Sequence, residues 1–506
     1  MHPIDFFLRA AKRYPNHIAL QGPGFVSLTY EALARQVNTL ACAMQQADPA
    51  EQSRVAICAG NTSEHIIALL ATLKAGKTWV PLNIRSTAQE VQRILDTVYA
   101  SIVISDEIGA PLVANADVPH RWCIGAARQG WTEIKNACLP FKNRIPSPIQ
   151  ASRDATQAIK FTGGTTGIPK GVMQPYRAWN AGIINQIQGW GLNETDCYVV
   201  CAPVTHGTST YLLPILAQGG KLVFPETNSP PEIAKAFRDH KGTISFMPPT
   251  LIYMLMAHPD VHVSDFASLR NLVYGGAPMP AEKVDEAVAF FGPKVGTTYG
   301  QTEAPQIVTM LRPSEVTDPA NRGSAGRCTW LSDLAIRSPQ GEFLGQGEKG
   351  EVVVRGDLVM TGYWQLPEKT AETIRDGWLH TGDVGYVDDR GFLFIKDRLR
   401  DVVITGGFNV YPVDVEDALS KHPAVYEASV FGWPDPKWGE AVHAAIQLRK
   451  DANTTQEALM DHVKALLGGV HTPKHIHFMD QLPRSAVGKV LKKDIKDQLF
   501  QTKENP

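Results

Sequence analysis

Between Thr162 and Lys170 the chain carries three threonines, three glycines and one lysine, as Thr162-Gly163-Gly164-Thr165-Thr166-Gly167-Ile168-Pro169-Lys170. Glycines let the backbone turn several N–H groups toward one point, which makes a nest for anionic oxygens. The threonine hydroxyls add donors, and Lys170 adds a point charge suited to phosphate. This is the composition of a polyphosphate-binding loop. It is not a P-loop, which ends Gly-Lys-Ser/Thr and opens a helix, because Pro169 parts the glycines from Lys170 and Gly171-Val172 follow.

Other stretches carry matching chemistry. Tyr299-Gly300-Gln301-Thr302-Glu303 offers an aromatic ring, a hydroxyl and a carboxylate in one turn. A carboxylate beside a phosphate nest suits Mg²⁺, which takes one or two carboxylates plus phosphate oxygens. Thr381-Gly382-Asp383 sets a carboxylate in a tight turn, a geometry suited to a ribose diol. Asp397-Arg398-Leu399-Arg400-Asp401 is a charged knot, followed by the glycine pair Gly406-Gly407. Lys489 stands in the late loop Pro483-Arg484-Ser485-Ala486-Val487-Gly488-Lys489, so far from Lys170 in sequence that only domain closure could bring the two to one phosphate chain.

These residues need a scaffold, and apolar spacing supplies one. Helices are predicted over Tyr30–Ala47, from a cap at Ser63 to Lys74, and over Thr87–Tyr99, 211–218, 231–239 and Ala281–Phe291. Short apolar strands are predicted at Arg54–Cys58, 77–81, 100–105, 197–202, 221–224, 243–247, 272–278 and 294–299. Strands alternating with helices imply helix-flanked parallel sheets, with ligands at the carboxyl ends of the strands. From about Gly323 the texture changes to short strands with glycine turns, at 334–337, 351–355, 383–386 and 392–395, which suits a small antiparallel sheet or distorted barrel. Beyond Arg400 an α+β pattern follows. The expected division is an α/β N-terminal domain over 1–397 and a small α+β C-terminal domain over 398–506. Within the first, sheet subdomains fall at about 1–180 and 181–320 and a β subdomain at about 321–397.

A chain of 506 residues with 43% hydrophobic and 20% charged residues is a soluble globular protein of several domains. A net charge of −2 gives no case for nucleic-acid binding. The seven cysteines are scattered and form no C-x-x-C pair, which suits reduced thiols in the cytoplasm. The N-terminal twenty residues lack the apolar core of a signal peptide, and the most apolar helical run, Ile66 to Leu73, is too short to span a bilayer.

Taken in order, the motifs resemble those of the adenylate-forming superfamily, which includes acyl- and aryl-CoA synthetases, nonribosomal adenylation domains and firefly luciferase. The glycine loop is similar to that family's T-S-G-T-T-G-x-P-K-G signature, and Tyr299–Glu303 to its Y-G-x-T-E. Gly350–Gly356, Gly377–Asp383, Asp397–Asp401 and Gly488-Lys489 complete a resemblance running from about Pro3 to Lys493. It implies a two-step reaction in which a carboxylate and ATP give an acyl-adenylate and pyrophosphate, and a thiol then displaces AMP.

The resemblance also implies roles. Thr162, Gly163, Gly164, Thr165, Thr166 and Lys170 would hold the β- and γ-phosphates. Gly276, Ala277, Pro278 and Tyr299 would frame adenine, with Thr302 near the α-phosphate and Glu303 on Mg²⁺. Asp383 and Arg398 would hold the ribose hydroxyls. Lys489 would bridge the substrate carboxylate and α-phosphate, and Arg400 would be the hinge. His206 would stand between acyl pocket and thiol tunnel, and Gly406-Gly407 would meet the pantetheine arm. Trp438, His471 and Lys474 would meet the CoA nucleotide.

Three positions depart from the pattern: Gly163 replaces a serine, Lys492 an arginine, and Arg400 the commoner aspartate or lysine. The Phe-Asp pair usual in amino-acid adenylating domains is absent after His206, and no carrier domain follows Lys493. The expected reading is an AMP-forming carboxylic acid–CoA ligase using ATP, Mg²⁺ and CoA, on a medium- or long-chain fatty acid or an aryl or cyclic acid. A homodimer is compatible with it. The alternatives are a stand-alone enzyme that loads a carrier protein, and a nucleotide-binding regulator without catalysis. Trp179, Tyr211 and Tyr274 are candidate pocket walls.

Overall fold

Strand residues alternate between two covers, and this alternation builds the molecule. In Arg54–Cys58, Val55 and Ile57 enter one core cluster while Ala56 and Cys58 enter another. In the same way Tyr198 and Val200 join the first cluster, and Cys197 and Val199 a third. Both faces of each strand are therefore apolar, as parallel sheets wrapped by helices require.

The computed structural model describes residues 1–22, 27–162, 169–484 and 490–500. Among these the strands form three sheets. The first has its centre in the parallel strands Thr78–Pro81, Arg54–Cys58, Ile102–Ser105 and His120–Cys123. Its other edge is the antiparallel hairpin of Thr156–Thr162 and Lys170–Pro175, extended by Gly362–Tyr363. The second runs through the parallel strands Lys221–Val223, Cys197–Val199, Ile244–Met247, Asn271–Tyr274 and Val295–Tyr299. Between the two sheets lie helices Pro3–Arg13, Tyr30–Ala47, Ser63–Lys74, Tyr176–Trp190 and Ser209–Ala217, whose buried residues share one cluster with both sheets.

Three features depart from the sequence expectations. The strands at Ser332–Arg337, Gly350–Gly356, Trp378–Val387 and Phe392–Arg398 do not close into a barrel. They continue the second sheet in antiparallel fashion through Gly326–Cys328 and Thr309–Leu311, so one open sheet carries both textures. The strand Ile18–Gln21 joins this second sheet beside Lys221–Val223, not the sheet of its sequence neighbours. Parallel pairing there buries Ala19 and Leu20 and covers what would be an open edge. The cap of the third helix is Thr62, whose hydroxyl accepts from the His65 N–H, with Ser63 as the first helical residue.

The third sheet holds Val403–Thr405, Phe408–Val410, Val425–Asp435, Gly439–Leu448 and His475–Phe478, packed against helices Pro412–Ser420 and Gln456–Leu467. It meets the rest of the chain through Lys396 with Asp414 at 2.7 Å, and through Ser420 Oγ, which donates to Glu282 Oε2 at 3.4 Å. Among the described residues no helix is long and apolar enough to cross a membrane.

Candidate active site

The hairpin pairs Thr162 with Lys170 at its tip, so the glycine loop between them closes two strands of the first sheet. Gly163, Gly164, Thr165 and Thr166 lie outside the described residues. The two legs are closely packed directly beside that tip. A Cβ on Gly171 would stand 2.9 Å from Ile159 Cγ2 and 3.0 Å from Phe161 Cζ.

Lys170 Nζ lies 5.4 Å from the ring centre of Tyr363, which pairs across the sheet with Val172. The Tyr363 hydroxyl in turn donates to Glu303 Oε1 at 2.9 Å. Burial, followed by the charge of Glu303, holds the Tyr363 proton in place by raising its pKa. The Glu303 backbone is fixed by the Met360 N–H, which donates to its carbonyl at 2.8 Å. The Thr302 carbonyl accepts from Gln174 Nε2 at 2.8 Å, and Gln174 accepts from Trp179 Nε1 at 3.1 Å. Thr302 is thus tied through its carbonyl to the hairpin, and Glu303 through its own to the segment leading into Gly362–Tyr363.

A second cluster forms where the parallel strands end. Asp383 is 4% exposed and is bonded on both oxygens. Its Oδ2 accepts from the Tyr299 hydroxyl and from Gln301 Nε2, each at 2.6 Å, and Arg398 Nε lies 2.7 Å from Oδ1. The strand register accounts for the last contact, since Asp383 and Arg398 are directly opposed between Trp378–Val387 and Phe392–Arg398. Burial, then the Asp383 charge, raises the Tyr299 pKa well above that of a free phenol. The Gly276, Ala277 and Pro278 turn follows the adjacent strand end, where Tyr274 pairs with Thr297, and Gly276 has the left-handed φ of +80°.

His206 interrupts the turn Val204–Thr208 with φ −115° and ψ −140°. Its Nδ1 is 2.9 Å from Thr205 Oγ1, and burial, then Lys160 and Arg85, push its pKa down to about 4. Beside it Tyr211 stacks on Phe246 at 5.2 Å between ring centres and reaches Thr298 Oγ1 at 3.4 Å. Cβ atoms on Gly207 and Gly275 would each come 2.9 Å from Phe246, so backbone and ring are in close contact here. Trp179, Ile183, Gln186, Leu213 and Pro305 line a small cavity between the neighbouring helices. Tyr274 is not part of this wall. It faces the opposite cluster, because Val273 and not Tyr274 points toward the helices that hold Trp179 and Tyr211.

The C-terminal residues form a separate group. Gly406 and Gly407, with φ of +56° and +82°, turn the chain between Val403–Thr405 and Phe408–Val410. The Gly406 N–H donates to the Trp438 carbonyl at 2.8 Å, and Lys437 and Lys474 stand 4.8 and 5.8 Å from the Trp438 ring centre. His471 is half-buried nearby in the chain, and no hydrogen bond or ring contact among the described residues joins this group to Asp383 or Glu303. Arg400 is exposed in the turn Leu399–Asp401.

Lys489 lies outside the described residues, but both rims of its loop are held. Arg484 pairs with Val490 and with the Glu427 carboxylate, and Lys492 Nζ is 3.4 Å from Glu416 and 4.0 Å from Asp397. Burial pushes the Asp397 pKa up to about 6. Asp397 immediately precedes Arg398, so Lys492 reaches the strand residue next to the Asp383 cluster.

Sequence reasoning missed Gln301, Tyr363 and Lys160. Gln301 occupies the variable position of its motif, and Tyr363 and Lys160 belong to none. Only Lys160 left a signal, as a charge inside an apolar strand.

Comparison with known proteins gives a consistent picture. The profile of the AMP-binding enzyme family matches residues 7–364, and that of the AMP-binding enzyme C-terminal domain matches residues 414–489. A feruloyl-CoA synthase of Amycolatopsis sp is 33% identical over 497 residues, 97% of each chain. A fatty acid–[acyl-carrier-protein] ligase, ScoC of Streptomyces coeruleorubidus, is 33% identical over 483 residues, covering 94% of this chain and 92% of its own. Among solved structures, the amide bond synthetase McbA of Marinactinospora thermotolerans superposes with a TM-score of 0.90 at 30% identity, over 98% of this chain and 100% of its own.

Proposed function

Because this chain belongs to the AMP-binding enzyme family, we propose that it is an AMP-forming ligase that joins an aryl or fatty acid to CoA. The observation that carries this reading is the Asp383 cluster set beside the Glu303–Tyr363–Lys170 line, a ribose clasp next to a phosphate-side cation and carboxylate. Among the described residues Oδ1 of Asp383 meets only Arg398, so it keeps a lone pair for a ribose hydroxyl. Tyr299 and the Gly276–Pro278 turn offer flat, partly exposed walls for a base.

In the first step a carboxylate oxygen attacks the α-phosphorus of ATP, and the bond to pyrophosphate breaks. Lys170 and the glycine loop receive the departing phosphates, and Lys489, brought in by its loop, balances charge on the α-phosphoryl oxygens. Glu303 fits a Mg²⁺ ion, since among the described residues only its Oε1 is engaged. When bound, such an ion supplies charge neutralisation on phosphate oxygens. In the second step the CoA sulfur bonds to the acyl carbon and AMP leaves with the electron pair of the cleaved anhydride bond. His206 and the Tyr211–Phe246 stack border this acyl site.

CoA is favoured as acceptor by Trp438 with Lys437 and Lys474, an aromatic face flanked by two cations that suits a phosphorylated adenosine. We divide the chain at about 397/398, with Arg400 as hinge, because the third sheet begins directly after the turn Leu399–Asp401. The unpaired state of all seven cysteines supports a cytoplasmic enzyme.

The test is a pyrophosphate-release assay over a panel of aromatic and aliphatic acids, with CoA or an acyl-carrier protein as acceptor. Acyl-CoA and AMP are the expected products. Pyrophosphate exchange without any acyl-CoA, together with loading of a carrier, would replace CoA by the carrier.

A further inference from the structure

Lys160 lies on the strand Thr156–Thr162, immediately before the glycine loop, and its side chain enters the core between the two large sheets. The residue is 7% exposed. Its Nζ stands 5.3 Å from the ring centre of Trp79 and 5.7 Å from that of Trp179, which are themselves edge to face. It donates to Ser209 Oγ at 2.7 Å and to the His206 carbonyl at 3.3 Å. Ser209 Oγ also donates to that carbonyl at 2.7 Å, so three polar atoms close a triangle inside an apolar wall.

Among the described residues the surrounding elements supply no counter-charge. Thr78–Pro81 presents Trp79, helix Tyr176–Trp190 presents Trp179, and the turn Val204–Thr208 with the start of helix Ser209–Ala217 presents His206 and Ser209. Desolvation alone brings the Lys160 pKa down to about 7. A buried lysine without a carboxylate is costly, and an apolar side chain would fill this space more favourably. What the nitrogen gains in return is a hold on one carbonyl, that of the residue whose backbone breaks the turn.

We propose that Lys160 is a positioning residue for His206: its side-chain nitrogen gathers the His206 carbonyl and the Ser209 hydroxyl and so fixes the broken turn that aims the imidazole. This rests on reading His206 as a border of the acyl site on the thiol side. A second effect follows from the same placement. A charged Lys160 opposes a proton on His206, as does Arg85, so the imidazole beside the acyl group stays neutral.

The experiment combines ring-carbon NMR of His206, assigned by loss of its signal in H206Q, with separate assays of the two half-reactions in wild type, K160M and K160R. In wild type the His206 resonance should stay that of a neutral ring down to about pH 5 and shift near pH 7 as Lys160 loses its proton. K160M should abolish the shift near pH 7 and raise the His206 pKa. It should slow thioester formation from supplied acyl-AMP about tenfold, while ATP–pyrophosphate exchange changes less than about threefold. K160R should restore much of the transfer rate.

Equal loss in both half-reactions with an unchanged His206 titration would make Lys160 a packing residue only and overturn the proposal. A wild-type His206 that shows no shift near pH 7 would overturn it as well, and that measurement needs no variant to fold. If wild type exchanges pyrophosphate but transfers nothing to CoA, the acceptor reading fails by itself, and the His206 titration still decides the role of Lys160.

Discussion

Asp383 accepts two hydrogen bonds on one oxygen and an ion pair on the other, all from side chains of residues well separated from it in sequence. A buried carboxylate so bound is held in one rotamer, ready for a diol. Removing one neutral donor to a charged acceptor costs about 1.5–3 kcal/mol. Tyr299→Phe should therefore raise the KM for ATP by about tenfold or more in pyrophosphate exchange, with a smaller effect on kcat. Asp383→Ala should be worse, because it also strands Arg398. Glu303→Gln keeps the shape and the bond from Tyr363 but removes the charge. It should lower kcat of adenylation by about a hundredfold and shift the magnesium dependence upward, measured over a magnesium series. An unchanged magnesium dependence would remove Glu303 from the metal role.

Elements place these residues through backbone contacts that permit no side chain. A Cβ on Gly300 would stand 2.6–2.8 Å from the backbone of Gln306, and Gln306 is itself in the left-handed region at φ +67°. Neither partner can yield, so Gly300→Ala should cost about 2–3 kcal/mol and lower the melting temperature by several degrees. Gly276 is the contrast: it has open space around it and only its φ of +80° to satisfy. Gly276→Ala should cost about 1 kcal/mol and leave the fold intact. Differential scanning fluorimetry of both variants compares a clash with a strained dihedral.

At this scale much was legible. Helices Tyr30–Ala47 and Ala281–Phe291 and strand Arg54–Cys58 follow directly from apolar period and length. The pairing of Ile18–Gln21 with Lys221–Val223 did not, because the partner lies some two hundred residues away and local pattern carries no address. Tyr363 was illegible for the same reason, whereas Asp383 and Arg398, which the resemblance sets on one ribose, are cross-strand neighbours. Tyr274 misled, since a period of two fixes alternation but not which face meets which core.

Over the whole molecule, the contact between the C-terminal sheet and the rest is acidic. Helix Pro412–Ser420 brings Asp414, Glu416 and Asp417 toward Glu282, Lys396 and Asp397, with Lys492 of the C-terminal part between Glu416 and Asp397. Burial, then Glu282 and Glu416, push the Asp417 pKa up to about 7, and burial raises that of Glu427. A carboxyl group with a raised pKa favours the docked state most when protonated. Its contribution is complete below the ordinary carboxylate range and is lost as pH rises through about 7. The contact should therefore loosen between about pH 4 and pH 7. Asp417→Asn should flatten this dependence and raise the melting temperature at pH 8 by about 2 °C, as followed by melts across pH. A variant that melts as wild type does at every pH would exclude Asp417 from the effect.

One residue links these scales. Tyr363 touches Lys170 with its ring and Glu303 with its hydroxyl, while its own strand is stitched to the hairpin. It works as an insulator. A cation and an anion that face the same phosphate chain would, in an empty cleft, collapse onto each other, and an incoming triphosphate would first have to prise them apart. The phenol gives each charge a weak, neutral companion instead. The two poles stay cocked, and the nucleotide closes a circuit that the fold has kept open.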